Sequence, residues 1–215
     1  MKKVLVIAAH PDDAEFGMGG TLARLAETCE VTLCILCRGD HPGIDESQSS
    51  RESALKANVK QLKIKQLFHN NFCDVSLDTV AFARISAYLT DTVNKVRPDT
   101  VFTHYKNDIH VDHRIVSAAT RVACRPRKGC SVTALYEYPV AGSTEWAFDN
   151  VVYNTFVNIE NYTMLKYICI GRYKSEMKNA PDPLSIDSLK ARDIYYGSLA
   201  GYDVAEPFVC IFNKV

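Results

Sequence analysis

Apolar residues along this chain fall into short unbroken runs that alternate with segments of helical spacing. Residues 4–9 form the first run, apolar throughout and of strand length. Residues 16–28 then place Leu22, Leu25 and Ala26 on one helical face. A second strand-like run covers 31–37, and 38–47 is rich in turn formers. A helix follows over 49–62 and a short third strand over 66–69. Val80, Ile85, Leu89, Val93 and Val96 predict one helix over 77–96, stopped by Arg97-Pro98-Asp99. The pattern continues with a strand at 100–104, a helix at 111–124 and a strand at 131–138. In the last third, 151–159 and 208–212 are strand-like, while 162–173 and 185–199 are helical. Strands that are apolar on both faces, alternating with helices, predict a mostly parallel sheet covered on both sides. No repeat or linker divides the chain. The expectation is one domain over 1–215, a Rossmann-like doubly wound α/β sheet of order 3-2-1-4-5 with further C-terminal strands.

Charge narrows the partners. Lysine plus arginine and aspartate plus glutamate number 25 each, so no global field draws the chain to nucleic acid or to a membrane surface. The run at 4–9 follows two lysines, as in a signal peptide, but it is too short and no small-residue cleavage site follows. No apolar run approaches the roughly 18 residues that span a bilayer. A cytoplasmic location is the expectation. Eight cysteines, mostly inside apolar runs, are read as reduced and structural. Cys34 and Cys37 form a C-x-x-C, but strand alternation would turn them to opposite faces.

The order 3-2-1-4-5 makes strands 1 and 4 neighbours, and ligands bind in the crevice between the loops leaving their carboxyl ends. Those loops are the chemically dense parts of the chain. The first reads Ala9-His10-Pro11-Asp12-Asp13-Ala14-Glu15, and the second runs from His104 through Asp108 and His110 to Asp112 and His113. Imidazole and carboxylate suit a borderline cation such as zinc or Fe(II), and two His with one Asp leave positions open for water. His10 and His113 offer the nitrogens and one of Asp12 or Asp13 the oxygen. The other aspartate is then free to serve as general base. His110 lies three residues before His113 on one helical face, so one can ligate while the other faces the substrate oxygen as acid or oxyanion donor.

Plainer readings exist for each residue. Asp12 or Asp13 could cap the following helix, Asp112 could oppose a helix dipole, and a strand-end His104 is commonly structural. Glu15 either orients a ligand or favours the helix N-terminus. Gly17, Gly19 and Gly20 come after the acidic cluster, so they are not a dinucleotide fingerprint and predict close helix packing instead.

His10-Pro11-Asp12-Asp13-x-Glu15 with Gly17-x-Gly19-Gly20, paired with His110-Val111-Asp112-His113, resembles the PIG-L/LmbE-like family of zinc-dependent de-N-acetylases. The likeness extends to Arg51, Leu62 and Asp74, and to Ala191-Arg192, Gly197 and Ala205-Glu206-Pro207-Phe208. It implies zinc (or Fe2+) held by His10, Asp13 and His113, with Asp12 as general base. His110 would stabilise the oxyanion or protonate the leaving amine, and Asp112 would orient a histidine. Arg51 and Asp74 would hold sugar hydroxyls. The implied substrate is a small N-acetylated sugar or conjugate of N-acetylglucosamine type, and homo-oligomers are common in such families. Three positions depart from the family pattern: His104, Lys63 after Leu62, and Val111 in the second motif. The rivals are a nucleotide-binding Rossmann-like module, disfavoured because phosphate would meet two carboxylates, and a metal-binding scaffold without catalysis. The loops at 38–48 and 138–148, with Trp146, would line either the pocket or an interface.

Overall fold

A computed structural model describes residues 2–39 and 47–214. The strands are β1 (Lys3–Ala8), β2 (Glu30–Cys37), β3 (Gln66–Phe72), β4 (Thr100–His104), β5 (Ala134–Tyr138), β6 (Thr155–Asn158) and β7 (Ala205–Asn213). Among the described residues they form one seven-stranded sheet in the order β3-β2-β1-β4-β5-β7-β6. β1 to β5 are parallel, and β7 runs antiparallel to both β5 and β6. This is the doubly wound order that the alternation predicts, extended by two C-terminal strands. Part of the expected loop at 38–48, residues 40–46, lies outside the described residues.

Among the described residues six helices cover the two faces: α1 (Asp13–Thr28), α2 (Ser47–Gln61), α3 (Phe82–Val96), α4 (Val111–Ala123), α5 (Thr163–Ile170) and α6 (Ile186–Ala200). Alternation along β1 sorts them. Val4, Val6 and Ala8 pack with residues of α1, α2, α5 and α6, whereas Leu5, Ile7 and Ala9 pack with α3 and α4. Both layers therefore bury β1 from Val4 on and β4 from Val101 on, and the polar loops at their carboxyl ends are the part left to chemistry. Among the described residues no helix is long and apolar enough to cross a membrane.

Several local features differ from the sequence pattern. The predicted helix over 77–96 is a 3-10 turn at Leu77–Thr79 followed by α3, with Val80 and Ala81 extended between them. Leu77 and Val80 keep the apolar phase of the helix, so periodicity does not reveal the break. Cys34 and Cys37 share one apolar cluster, because a register shift between Ile35 and Cys37 interrupts the alternation of β2. All eight cysteines are free.

α1 contains a break of its own. Met18 leaves helical geometry (φ −149°, ψ 30°), which strips the N–H groups of Gly20 and Thr21 of partners within the helix. Glu206 on β7 accepts both, at 2.9 and 2.6 Å. The bare glycines here allow close packing. A methyl group on Gly17 would come within 2.5 Å of the Tyr138 ring, and one on Gly20 within 2.8 Å of Ile159.

At the end of α2, Lys63 takes the left-handed conformation (φ 55°). Its N–H reaches the Lys60 carbonyl and the Ile64 N–H reaches that of Val59, the pairing of a Schellman cap.

Candidate active site

The loops after β1 and β4 meet in a cavity of about 260 Å³. His10, Asp12, Asp13, Arg51, Asp74, His110 and His113 all line it. Asp112 lies behind it, fully buried. Every site residue singled out in the sequence is thus in this one place.

Asp12 occupies the N-cap position of α1, but its side chain does not cap the helix. Its backbone carbonyl accepts from Glu15 and Phe16, while the carboxylate turns away at a strained φ of 134°. There it accepts from Arg51 Nη2 at 2.7 Å. Arg51 also donates to Asp74 from Nη1, at 3.3 Å, and faces Glu176 across 3.7 Å. Asp74 in turn accepts from the Gly39 N–H at 2.9 Å. Both Nη atoms of Arg51 are therefore engaged with carboxylates. Burial pushes the Asp12 carboxyl up to about 8, with Arg51 opposing and the charge of Asp13 adding to the shift.

Asp13 sits among three imidazoles. Its Oδ2 accepts from the His10 N–H at 2.7 Å and lies 3.2 Å from His10 Nδ1, while Oδ1 lies 3.3 Å from His113 Nε2. Burial alone would raise its carboxyl, but His113 and His10 hold it well below the usual range. His10, Asp13 and His113 bring one donor atom each within 4.8 Å of one another.

Two other groupings meet the same distance, His10–His110–Asp112 and His10–Cys37–Asp74. Their atoms are already in use. Asp112 accepts from Val75, Leu77 and His10, Asp74 from Gly39 and Arg51, and burial pushes the Cys37 thiol up to about 11.

The first set passes a further test of fit to a cation. His113 Nε2 is buried without a hydrogen-bond partner. Each histidine of the set also turns its other ring nitrogen to a carboxylate: His10 Nε2 to Asp112 at 3.0 Å, and His113 Nδ1 to Asp108 at 3.3 Å. Such backing fixes the ring and its tautomer and raises the basicity of the free nitrogen. Sequence reasoning did not single out Asp108. Its place in the dense second loop was the only signal, because its partners Ser143 and Thr144 lie some 35 residues away.

His110 caps α4, its Nδ1 accepting from the Asp112 N–H at 3.2 Å. A nitrogen that accepts from an N–H carries no proton, so the ring proton is on Nε2. Burial, together with the nearby His113 and His10, pulls its pKa down to about 4 and keeps the ring neutral. His104 is fixed in the same way: its Nε2 accepts from the Ala9 N–H at 2.8 Å, and its ring stacks on His113 with centroids 4.0 Å apart. Glu15 touches no site residue through hydrogen bonds. Its Oε1 accepts from Asn58 and Tyr173, both at 2.9 Å, and burial pushes its carboxyl up to about 7.

The loop at 138–148 divides in two. Val140, Ala141, Gly142 and Ser143 line the cavity, whereas Trp146 and Phe148 are exposed beyond it. Glu176 and Leu184 close the remaining side, and neither was singled out in the sequence.

A doubly wound sheet with this His/Asp donor cluster at its switch point places the molecule among Rossmann-like α/β enzymes. A model of the PIG-L family, described as GlcNAc-PI de-N-acetylase, matches residues 5–124, and the chain belongs to that family. Over 128 residues it is 34% identical to the uncharacterized deacetylase YaiS of Escherichia coli K12, covering 58% of this chain and 69% of that protein. It is 26% identical to the diacetylchitobiose deacetylase of Thermococcus kodakarensis, covering 96% of this chain and 82% of the relative. Among solved structures, the conserved protein TT1542 of Thermus thermophilus superposes with a TM-score of 0.81 at 26% identity, covering 100% and 97% of the two chains. GalB of Pseudomonas putida KT2440, a 4-carboxy-2-hydroxymuconate hydratase, shares the fold at a TM-score of 0.75 and 19% identity, covering 100% and 98%. The fold thus serves more than one chemistry, and the site must choose between them.

Proposed function

We propose that this protein is a metal-dependent de-N-acetylase acting on an N-acetylated sugar or sugar conjugate of N-acetylglucosamine type. The observation that carries the proposal is Asp12, a carboxylate held by Arg51 beside the His10–Asp13–His113 donor set and excluded from capping its own helix. Those three residues would hold zinc or Fe(II), which when bound supplies Lewis acidity to the acetamide carbonyl and to water.

The chain's own groups account for the proton movements. Asp12 takes a proton from the attacking water as its oxygen bonds to the acetyl carbon. The Nε2–H of His110 donates a hydrogen bond to the oxygen that becomes negative. His110 cannot also supply the proton of the leaving amine, because its Nδ1 accepts from the Asp112 N–H and its single ring proton is already on Nε2. Asp12 returns the proton instead. The carbon–nitrogen bond breaks, and the products are acetate and the free amine. A carboxyl raised by burial is suited to holding a proton between the two steps.

Asp112 orients His10, Asp108 orients His113, and Arg51 with Asp74 positions Asp12; sugar contacts by Arg51 and Asp74 would come in addition. Eight free thiols suit a reducing compartment such as the cytosol.

The test is acetate release from a panel of N-acetylglucosamine conjugates by metal-replete protein, chelated protein and the Asp12→Ala variant. Release that needs metal and disappears in the variant is expected. A metal-replete protein that releases no acetate from any conjugate would sink the proposal.

A further inference from the structure

Asp74 and Val75 line the cavity, and the turn they begin contains a residue in the wrong conformation for its type. Val75 has a φ of 52°. A β-branched residue rarely occupies the left-handed region, where glycine or asparagine sits at far lower cost. The backbone has a reason to be there. With this turn, the N–H of Val75 reaches Asp112 Oδ2 at 2.8 Å, and that of Leu77 reaches Asp112 Oδ1 at 3.0 Å. Asp112 then holds His10.

That explains the conformation but not the valine, since glycine would make the same two hydrogen bonds. Burial does not explain it either. The Val75 side chain is 46% exposed and belongs to neither hydrophobic cluster of the sheet. It lines the cavity instead, together with Arg51, Asp74, His110 and Leu184. Strain held at a binding cleft, with no return in core packing, points to a contact made only when the cleft is filled.

We infer that Val75 is a specificity-determining residue whose isopropyl group packs against the apolar C–H face of the bound sugar ring. This rests on the deacetylase reading of the same site. The contact is uniform across the reaction, so it acts on substrate binding and leaves the chemical step alone.

The experiment compares wild type with Val75→Gly, Val75→Asn and Val75→Ile, all metal-loaded. It reads melting temperature, metal content, and kcat and KM for the best N-acetylglucosamine conjugate. Glycine and asparagine relieve the backbone and remove the apolar surface. Both should raise the melting temperature and keep the metal. KM should rise about tenfold, the transfer value of a valine side chain, at nearly constant kcat. Isoleucine should keep the wild-type KM. A merely structural role would instead lower the melting temperature, or lower kcat and metal content together through Asp112 and His10.

An unchanged KM in both αL-compatible variants overturns the inference, as does a lower melting temperature in both. A wild-type protein without turnover overturns the activity reading separately. The dissociation constant of the intact conjugate then replaces KM, and equal values in all four proteins overturn the assignment of Val75.

Discussion

Two buried polar clusters lie within this molecule, and they are built on opposite terms. Under the break in α1, Lys166 Nζ donates to Asp193 at 2.7 Å and meets Glu206 at 2.9 Å. Glu206 receives the N–H groups of Gly20 and Thr21, and Asp193 receives the Tyr167 hydroxyl at 2.7 Å. In the cavity between the β1 and β4 loops, His113 Nε2 is buried without a partner, and Asp12 and Val75 are strained. A buried polar atom left unpaired costs about 1–3 kcal/mol. The first cluster spends its hydrogen bonds on closing the fold. The second leaves His113 Nε2 unpaired, and that is an atom a cation would engage.

If that contrast is right, substitutions in the two clusters should fail in different ways. Asp12→Asn should lower kcat by roughly 10²–10⁴-fold, on the usual magnitude for a general base, while metal content and thermal stability stay near wild type. Loss of the metal would show instead that Asp12 belongs to the donor set. The same residue sets a pH dependence. Because burial raises its carboxyl, Asp12 is protonated and idle at low pH, and the rate should climb along a limb above the ordinary carboxylate range and reaching toward about 8. A bound cation shifts this limb downward, and a pH–kcat profile locates it.

Lys166→Met should do the reverse. It leaves Asp193 and Glu206 as buried carboxylates without a counter-charge, which costs about 3–5 kcal/mol in a denaturant melt. Turnover per folded molecule should be unchanged, and a selective loss of turnover would break the comparison. Asp108→Ala tests a residue that lies behind the cavity and backs the free nitrogen of His113. Metal affinity should weaken about 10–100-fold in a chelator competition, with Asp12 still able to act. The smallest effect is expected at Lys63, strained like Asp12 but far from any ligand. Lys63→Gly should raise stability by about 1 kcal/mol, read as a higher urea midpoint at constant slope, with identical kinetics.

The parallel part of the fold was legible because parallel strands are apolar on both faces: β4 spans the same residues in sequence and structure, β1 is shifted by one residue at each end and β2 starts one residue earlier. The cavity was legible because its chemistry is concentrated in two loops that the strand order brings together. What periodicity missed is what long-range partners impose. The interruption at Val80 and Ala81 follows from Leu77 being tied to Asp112. The sharing of one cluster by Cys34 and Cys37 follows from a register shift that no residue type announces. Lys63 stands where the family pattern has glycine, and its positive φ shows why glycine is usual there. Glu206 was noticed only as part of a closing motif. Its role as a cap depends on amides 185 and 186 positions earlier in the chain.

That last separation has a consequence for how the molecule is made. A ribosome adding about 5–20 residues per second needs roughly 10–40 s to travel from Gly20 to Glu206. Throughout that interval the helix that follows the His10–Asp13 loop has exited or is exiting without its cap, and Lys166 and Asp193 emerge in between. Two of the three donors, His10 and Asp13, are thus synthesised long before the strand that secures the helix behind them. A nascent chain stalled before β7 would carry all the histidines and aspartates of the cavity, with the helix behind His10 and Asp13 still free to fray.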